Sequence, residues 1–242
     1  MTAVSTLSRR NLLVTAASVA IGNSQDPPLP TTRSKYYGKG GAEPIPIKSR
    51  VWKSAPSAIY EYEWNGKVHR PELATKVSAL WNKQNFYLLF ECKYLTLHWE
   101  EKPDYTTDQP LYNRDCVEFF IANDPSDMLH YREFEIGPQG DWFDALIGWN
   151  NGRIKVDQAW NSGVKIAAAI DKEKKEWRVS VAVSVSQLGG KLAKGDRWRI
   201  NFYRIETPER NTRKSQFLAW SPTLTPRANF HVPQRFGWIE FI

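Results

Sequence analysis

Cysteine is nearly absent: Cys92 and Cys116 are the only two in 242 residues, and neither stands in a C-x-x-C or other metal-ligand spacing. No zinc site is therefore readable. Both lie in apolar stretches, where a single disulfide and two buried thiols packing as small hydrophobes are equally open. Methionine is as scarce, with Met128 alone beyond the initiator. The four histidines, His69, His98, His130 and His231, show no H-E-x-x-H or H-x-H spacing, and the chain has neither a G-x-S-x-G elbow nor a Gly-rich phosphate loop. Nucleophilic catalysis and nucleotide binding thus find little to rest on. No apolar run reaches the roughly 18 to 20 residues needed to cross a bilayer as a helix, and the mean hydropathy is −0.54. Helical periodicity is missing too, with only Ser186-Gln187-Leu188 reading as a helical turn.

Charge of one sign is not concentrated. The formal charge is +7, and residues 1–25 hold Arg9 and Arg10 with no acid, so the remainder carries +5. Cations alternate with acids, as in Glu173, Lys174, Lys175, Glu176 and Arg178, which argues against a surface that tracks nucleic-acid phosphates. The stretch Ser8-Arg9-Arg10-Asn11-Leu12-Leu13 opens a short apolar run ending in the small residues Ala17, Ser18 and Ala20. It reads as an export signal helix of the twin-arginine type over residues 1–25. A core helix that begins on two arginines is the alternative. An export signal implies a periplasmic or secreted protein, with no membrane contact once the signal is removed. Residues 26–45 hold Pro27, Pro28, Pro30 and Pro44 with Gly38, Gly40 and Gly41, a composition read as a tether. The globular domain is then expected over residues 46–242.

What is abundant is aromatic: 11 Trp, 10 Tyr and 11 Phe make 13% of the chain, rings suited both to strands and to sugar-binding surfaces. The dominant period is two. Phe86, Leu88, Phe90 and Cys92 alternate with Tyr87, Leu89 and Glu91, and Val117, Phe119 and Ile121 with Cys116, Glu118 and Phe120. The same alternation runs through 177–184 and 197–203, and further strands are expected at 58–64, 75–81, 131–136, 141–147, 164–170, 217–220 and 236–242. Turn residues such as Asn150-Asn151-Gly152 and Lys194-Gly195-Asp196 separate them. About ten short strands without helices predict an all-β fold, an antiparallel β-sandwich or a closely related barrel.

Carboxylates are the remaining chemistry. Asp115 and Glu118, three apart on a strand, point to opposite faces and cannot converge. Glu133 and Glu135 share a face, and two neighbouring carboxylates in a chain with many arginines read as an exposed, ion-paired surface sooner than as a glycosidase pair. Read together, the polar sides of the strands place Glu118, Glu133, Glu135, Arg199, Asn201 and Tyr203 on one sheet face. Such a face can hydrogen-bond vicinal hydroxyls while rings nearby stack on a pyranose. A sandwich with a wet outer side gives the same alternation.

The order of several segments is similar to that in the family 9 carbohydrate-binding modules. They are Leu80-Trp81-Asn82 with Asn85-Phe86-Tyr87-Leu88, Asp115-Cys116-Val117-Glu118-Phe119-Phe120-Ile121, Tyr131-Arg132-Glu133-Phe134-Glu135-Ile136, Gly195 to Phe202, Trp220-Ser221-Pro222, and Phe230-His231-Val232-Pro233 with Phe236-Gly237. The resemblance spans about residues 50–242. It implies a non-catalytic β-sandwich that binds poly- or oligosaccharide of plant type, clamping a ring between two aromatics, and it implies structural calcium. Carried over by position, the clamp falls on Tyr112 and Phe230, where the family's binders have tryptophan, and the hydroxyl-contacting acid is Glu118. The strand position that holds arginine in those binders is Glu135 here, and Tyr203 and Arg227 align with further hydroxyl contacts. Three alternatives stand beside this reading: a weakly hydrolytic protein or one associated with a glycoside hydrolase, a haem-binding electron-transfer sandwich, and a structural sandwich whose sugar site has decayed.

Overall fold

A computed structural model describes residues 26–99, 110–208 and 214–242. The expected signal helix over 1–25 lies outside them. Thirteen strands occur among the described residues: β1 (Thr31–Tyr36), β2 (Ser57–Tyr60), β3 (Thr75–Trp81), β4 (Asn85–Lys93), β5 (Cys116–Ala122), β6 (His130–Ile136), β7 (Trp142–Asn150), β8 (Arg153–Asp157), β9 (Lys165–Asp171), β10 (Glu176–Ser184), β11 (Arg197–Glu206), β12 (Gln216–Ala219) and β13 (Gly237–Phe241). They form one curled hydrogen-bonded path, β8-β7-β6-β5-β11-β13-β1-β3-β4-β10-β9, with β12 added to β11 and β2 to β3. Two antiparallel layers result, β8 to β13 and β3 to β9 along that path, packed face to face as a β-sandwich.

Alternation builds the space between the layers. Val117, Phe119 and Ile121 of β5, Phe134 of β6, Phe90 of β4, Trp177 and Val179 of β10 and Ile200 and Phe202 of β11 meet there, all at most 1% exposed. Phe119 stacks on Phe134 at 4.4 Å between centroids and 6° between planes, and Phe90 meets Phe202 edge-on at 6.0 Å. The opposite sides are covered as well. The outer face of the first layer buries Phe120, Tyr131, Tyr203 and Phe236, and that of the second buries Tyr87 and Leu89 under Ile45 and Trp52. Covering on both sides is why β5 is buried at every position.

The tether expected over residues 26–45 does not form. Thr31 to Ser34 pair in parallel with Trp238 to Phe241 of β13, and Lys35 and Tyr36 pair in parallel with Leu80 and Trp81 of β3. This strand joins the two layers. Pro30 and Gly38 bracket the run T-T-R-S-K-Y without interrupting it, and inside it Thr32 and Ser34 point inward. The glycines that follow permit close approach: a Cβ on Gly40 would lie 2.4 Å from the Tyr87 hydroxyl oxygen, while the Gly40 and Gly41 carbonyls accept from Asn82, Asn85 and Tyr87 side chains.

Other boundaries also moved. The strand expected over 58–64 stops at Tyr60, and the hairpin partner β8 was not expected, although its turn was: Asn151 and Gly152 have φ of 50° and 72°, the left-handed pair of a two-residue hairpin. Cys92 faces the inner core and Cys116 the outer face of the first layer, and both are free thiols. Of the two open readings, the buried thiols are the one observed.

Candidate functional site

Even-numbered polar positions of β5 and odd-numbered ones of β6 and β11 do share the outer face of the first layer. The register sets Tyr203 beside Glu118, Glu118 beside Glu135 and Glu135 beside Phe143, forming one row across four strands. A second row runs from Asn201 through Phe120 to Glu133 and Ala145. Glu118, Glu133 and Glu135 are only 3%, 5% and 3% exposed. The exposed, ion-paired surface expected for Glu133 and Glu135 is therefore replaced by a covered acidic group, because two loops fold over this face.

The first cover is the segment before β5. The Leu111 amide donates to the Glu135 carboxylate, fixing a turn that leaves Tyr112 65% exposed. Asp115 at its end is held apart from Glu118: its carboxylate accepts from the backbone amides of Thr207 at 2.6 Å and His98 at 2.8 Å. The second cover is the closing segment 227–237. Arg199 donates to the carbonyls of Gln234, Phe236 and Gly237 and lies 4.7 Å from the Trp238 ring. Phe230, 8% exposed, lies flat on Tyr203 with centroids 4.1 Å apart and planes at 13°.

Tyr203 is the pivot of this face. Its hydroxyl donates to the Phe230 carbonyl at 2.9 Å and accepts from the Asn201 amide at 2.8 Å. Asn201 in turn donates to the Ser221 carbonyl, and burial keeps the Tyr203 phenol protonated. Glu118 and Glu133 are both pushed well above the usual carboxylate range, first by burial and then by each other's neighbourhood: Glu135 acts on both, and Glu133 also on Glu118.

The structure thus brings Glu118, Glu135, Tyr203 and Phe230 together. Tyr112 stands at the rim and makes no ring contact among the described residues. Arg227 is exposed, and its guanidinium has no described partner. Phe230 departs from the expected open clamp plate, since Tyr203 covers one of its ring faces. Sequence reasoning missed four neighbours. Trp64 donates to the Thr225 carbonyl at 3.0 Å and meets Phe217 edge-on, Phe217 meets Phe230 at 5.9 Å, and the Tyr131 hydroxyl bonds His231 Nδ1 at 2.9 Å. Burial lowers His231 to about 4, which favours the neutral ring. The period-two rule that paired Glu133 with Glu135 also puts Tyr131 on their face. The calcium implied by resemblance finds no group of three or more carboxylate, histidine or cysteine ligands among the described residues.

Comparison with known proteins follows this geometry. A sequence model of the family described as carbohydrate family 9 binding domain-like matches residues 47–242. A protein of Arthroderma benhamiae, described as an extracellular protein, is 22% identical over 202 residues, covering 77% of this chain and 86% of its own. The structure of a Bacteroides uniformis protein proposed to bind carbohydrate superposes with a TM-score of 0.68 at 19% identity, over 88% of this chain and 99% of that one. A family 9 carbohydrate-binding module from Caldicellulosiruptor kristjanssonii, solved with glucose, gives 0.58 at 15% identity over 87% and 95% of the two chains. Its cellotriose complex gives 0.58 at 14% over 86% and 93%. With the same two-layer fold and a family match over most of its length, the chain belongs to the carbohydrate family 9 binding domain-like family.

Proposed function

We propose that this chain is an exported, non-catalytic carbohydrate-binding protein that recognises plant-type poly- or oligosaccharide on the outer face of its first layer and serves in carbohydrate catabolism. The observation that carries the reading is the row Tyr203-Glu118-Glu135 beneath the Tyr112 turn, in a chain of a family with sugar-bound members. Tyr112 supplies an accessible ring for stacking, Phe230 a ring stiffened from behind, Glu118 and Glu135 acceptors for hydroxyls, and Arg227 a free donor at the rim. Export is supported by the twin-arginine pattern at Ser8 to Leu13 and by the extracellular description of the relative.

The electrostatics of this face support binding without bond cleavage. A glycosidase needs one carboxyl kept protonated and a second kept ionised, so their environments push them apart. Here Glu118 and Glu133 are both pushed the same way. The test is calorimetric titration of the purified full chain with cello-, xylo- and manno-oligosaccharides; no heat and no change in Trp or Tyr fluorescence with any of them overturns the reading.

One observation favours a second reading, a structural sandwich whose sugar site has filled in: Phe230 and Tyr203 are 8% and 0% exposed. Tyr112→Ala and Phe230→Ala separate the two, because sugar binding by the first reading weakens in both.

A further inference from the structure

The outer face of the first layer does not end at β11. Ala219 of β12 stands opposite Tyr203. Beyond β12, Glu63 bridges to Leu218, the Ala219 amide donates to the Tyr62 carbonyl at 3.1 Å and the Trp64 amide to the Phe217 carbonyl at 2.9 Å. That register sets Tyr62 opposite Ala219, and His69 bridges to Tyr62 on its other side. Residues directly opposite one another share a face. The row that runs from Tyr203 to Glu118 and Glu135 therefore also runs the other way, through Ala219 and Tyr62 to His69, and only the methyl group of Ala219 stands between Tyr203 and Tyr62 along it.

This end of the face carries an open aromatic surface. The rings of Tyr62 and His69 stack with centroids 4.6 Å apart and planes at 20°, yet Tyr62 is 44% exposed. His69 covers one side of the phenol ring, so the exposure belongs to its other side and edge. Glu61 fixes the imidazole, its carboxylate 2.8 Å from Nε2. On the opposite side of this hairpin Arg70 grips Glu63 through Nε at 2.9 Å and a terminal nitrogen at 2.8 Å, a fork that closes the hairpin without the ring pair. The covering segment is anchored here too. The Thr223 and Leu224 amides donate to the Trp64 carbonyl, and Leu224 is held at φ 62°, a left-handed conformation rare for such a residue and of the kind that gathers where ligands are held. Arg227 lies in the chain between Thr225, bound by Trp64, and Phe230, stacked on Tyr203, and it is exposed.

We propose that Tyr62 and His69 form a second carbohydrate subsite, so that the protein takes a chain of several sugar residues laid across the strands from Tyr112 to Tyr62. The proposal rests on the carbohydrate reading above and adds the length and direction of the ligand. Tyr112 follows Leu111, whose amide is bound to Glu135. Glu135 stands four strand spacings from Tyr62 along the row, a distance of roughly 20 Å at about 4.8 Å per spacing. One exposed ring engages one sugar; two rings so far apart engage a longer oligosaccharide near both of its ends. The apolar face of a pyranose stacks on Tyr62, Glu61 accepts from its hydroxyls, and Arg227 donates to the sugar residues between the two rings. The path runs over the covering segment, so no sugar has to enter the buried glutamate group.

The test is calorimetry on the full chain with cello-, xylo- and manno-oligosaccharides, each as the trisaccharide and the hexasaccharide. For any series that binds, the hexasaccharide is expected to bind about three- to tenfold more tightly than the trisaccharide, the worth of one aromatic stack. Tyr62→Ala should reduce that ratio to the small gain that additional binding frames give a longer chain, whereas Tyr62→Phe should keep it. Amide hydrogen exchange of the wild-type chain needs no variant: at saturation, residues 61–70 should be slowed by the hexasaccharide and less by the trisaccharide. Equal affinities for the two lengths, a ratio that survives in folded Tyr62→Ala, or a hairpin whose exchange ignores the hexasaccharide overturns the second subsite and leaves the carbohydrate reading standing. Binding of none of these sugars overturns that reading and the subsite with it. The wild-type measurements decide the matter even if Tyr62→Ala fails to fold.

Discussion

Tyr203 lies flat beneath Phe230 and holds it twice, once ring against ring at 4.1 Å and once through its hydroxyl, which donates to Phe230's own carbonyl at 2.9 Å. One residue of β11 thus fixes both the side chain and the backbone of the closing segment. The geometry removes rotamer freedom from Phe230 before any ligand arrives, and fixing a ring in advance lowers the cost of stacking on it.

Removing only the hydroxyl tests this role. Tyr203→Phe keeps the stack but leaves the Asn201 amide and the Phe230 carbonyl short of a partner, at a cost of about 1–3 kcal/mol for buried groups. Phe230→Ala deletes the ring from a packed cluster and costs about 3–5 kcal/mol. Urea unfolding followed by Trp fluorescence should rank the second variant as the less stable, with the hydrogen-exchange protection of the segment around Phe230 reduced in both.

The layers and most of the outer face were legible because period-two alternation survives in β4, β5, β6, β10 and β11: Glu118, Glu133, Glu135, Asn201 and Tyr203 were assigned to one face, and they share it. Coverage of that face was not legible. Alternation says which side a residue takes, and loops distant in sequence decide whether that side is wet; Leu111, whose amide donates to Glu135, lies in one such loop. Strand β1 was hidden because Pro and Gly at its flanks dominated the composition, while six residues without either suffice for a strand. The Phe230–Tyr203 stack joins positions 27 residues apart, a contact no local pattern encodes.

The inner core carries a charge that alternation assigned to no partner. Arg204 is fully buried, donates to the Lys93 carbonyl and Thr75 Oγ1, and pairs with Glu206 at 2.5 Å, its guanidinium 5.5 Å from the Trp177 ring. Glu206 also accepts from the Leu95 and Thr96 amides. Breaking such a pair from one side strands the other charge, at about 3–5 kcal/mol. Arg204→Met should therefore destabilise by that order. Arg204→Met with Glu206→Leu should recover part of the loss, and a double-mutant cycle from chemical denaturation measures the coupling.

The segment after β1 gives a steric prediction. Gly40 passes so close to Tyr87 that a methyl group would fall 2.4 Å from the phenol oxygen, and that same hydroxyl donates to the Gly41 carbonyl. Gly40→Ala must push the segment off the second layer, at about 1–3 kcal/mol for overpacking. Two carbons of the Tyr87 ring would lie 2.6 and 2.8 Å from the same methyl group, so Tyr87→Phe in the same chain leaves the clash and removes the bonds to Asn82 and Gly41. Thermal melts should place Gly40→Ala below the wild type, with no recovery in the double variant.

Asp115 supplies a pH dependence separate from the glutamates. Two backbone amides donate to it, which favours its charged form, yet burial outweighs them and raises it to about 7. A carboxyl that binds its proton more tightly folded than unfolded stabilises the fold at low pH; the contribution is complete below the unfolded value near 3.8 and is lost as pH rises through about 7. Between those limits the wild-type melting temperature should fall as Asp115 ionises against its buried surroundings. Asp115→Asn cannot ionise, so although an amide nitrogen facing a backbone N–H lowers its stability throughout, its melting temperature should change less over the same interval. Thermal melts of both proteins across that range check this, and parallel curves would show that Asp115 does not titrate there.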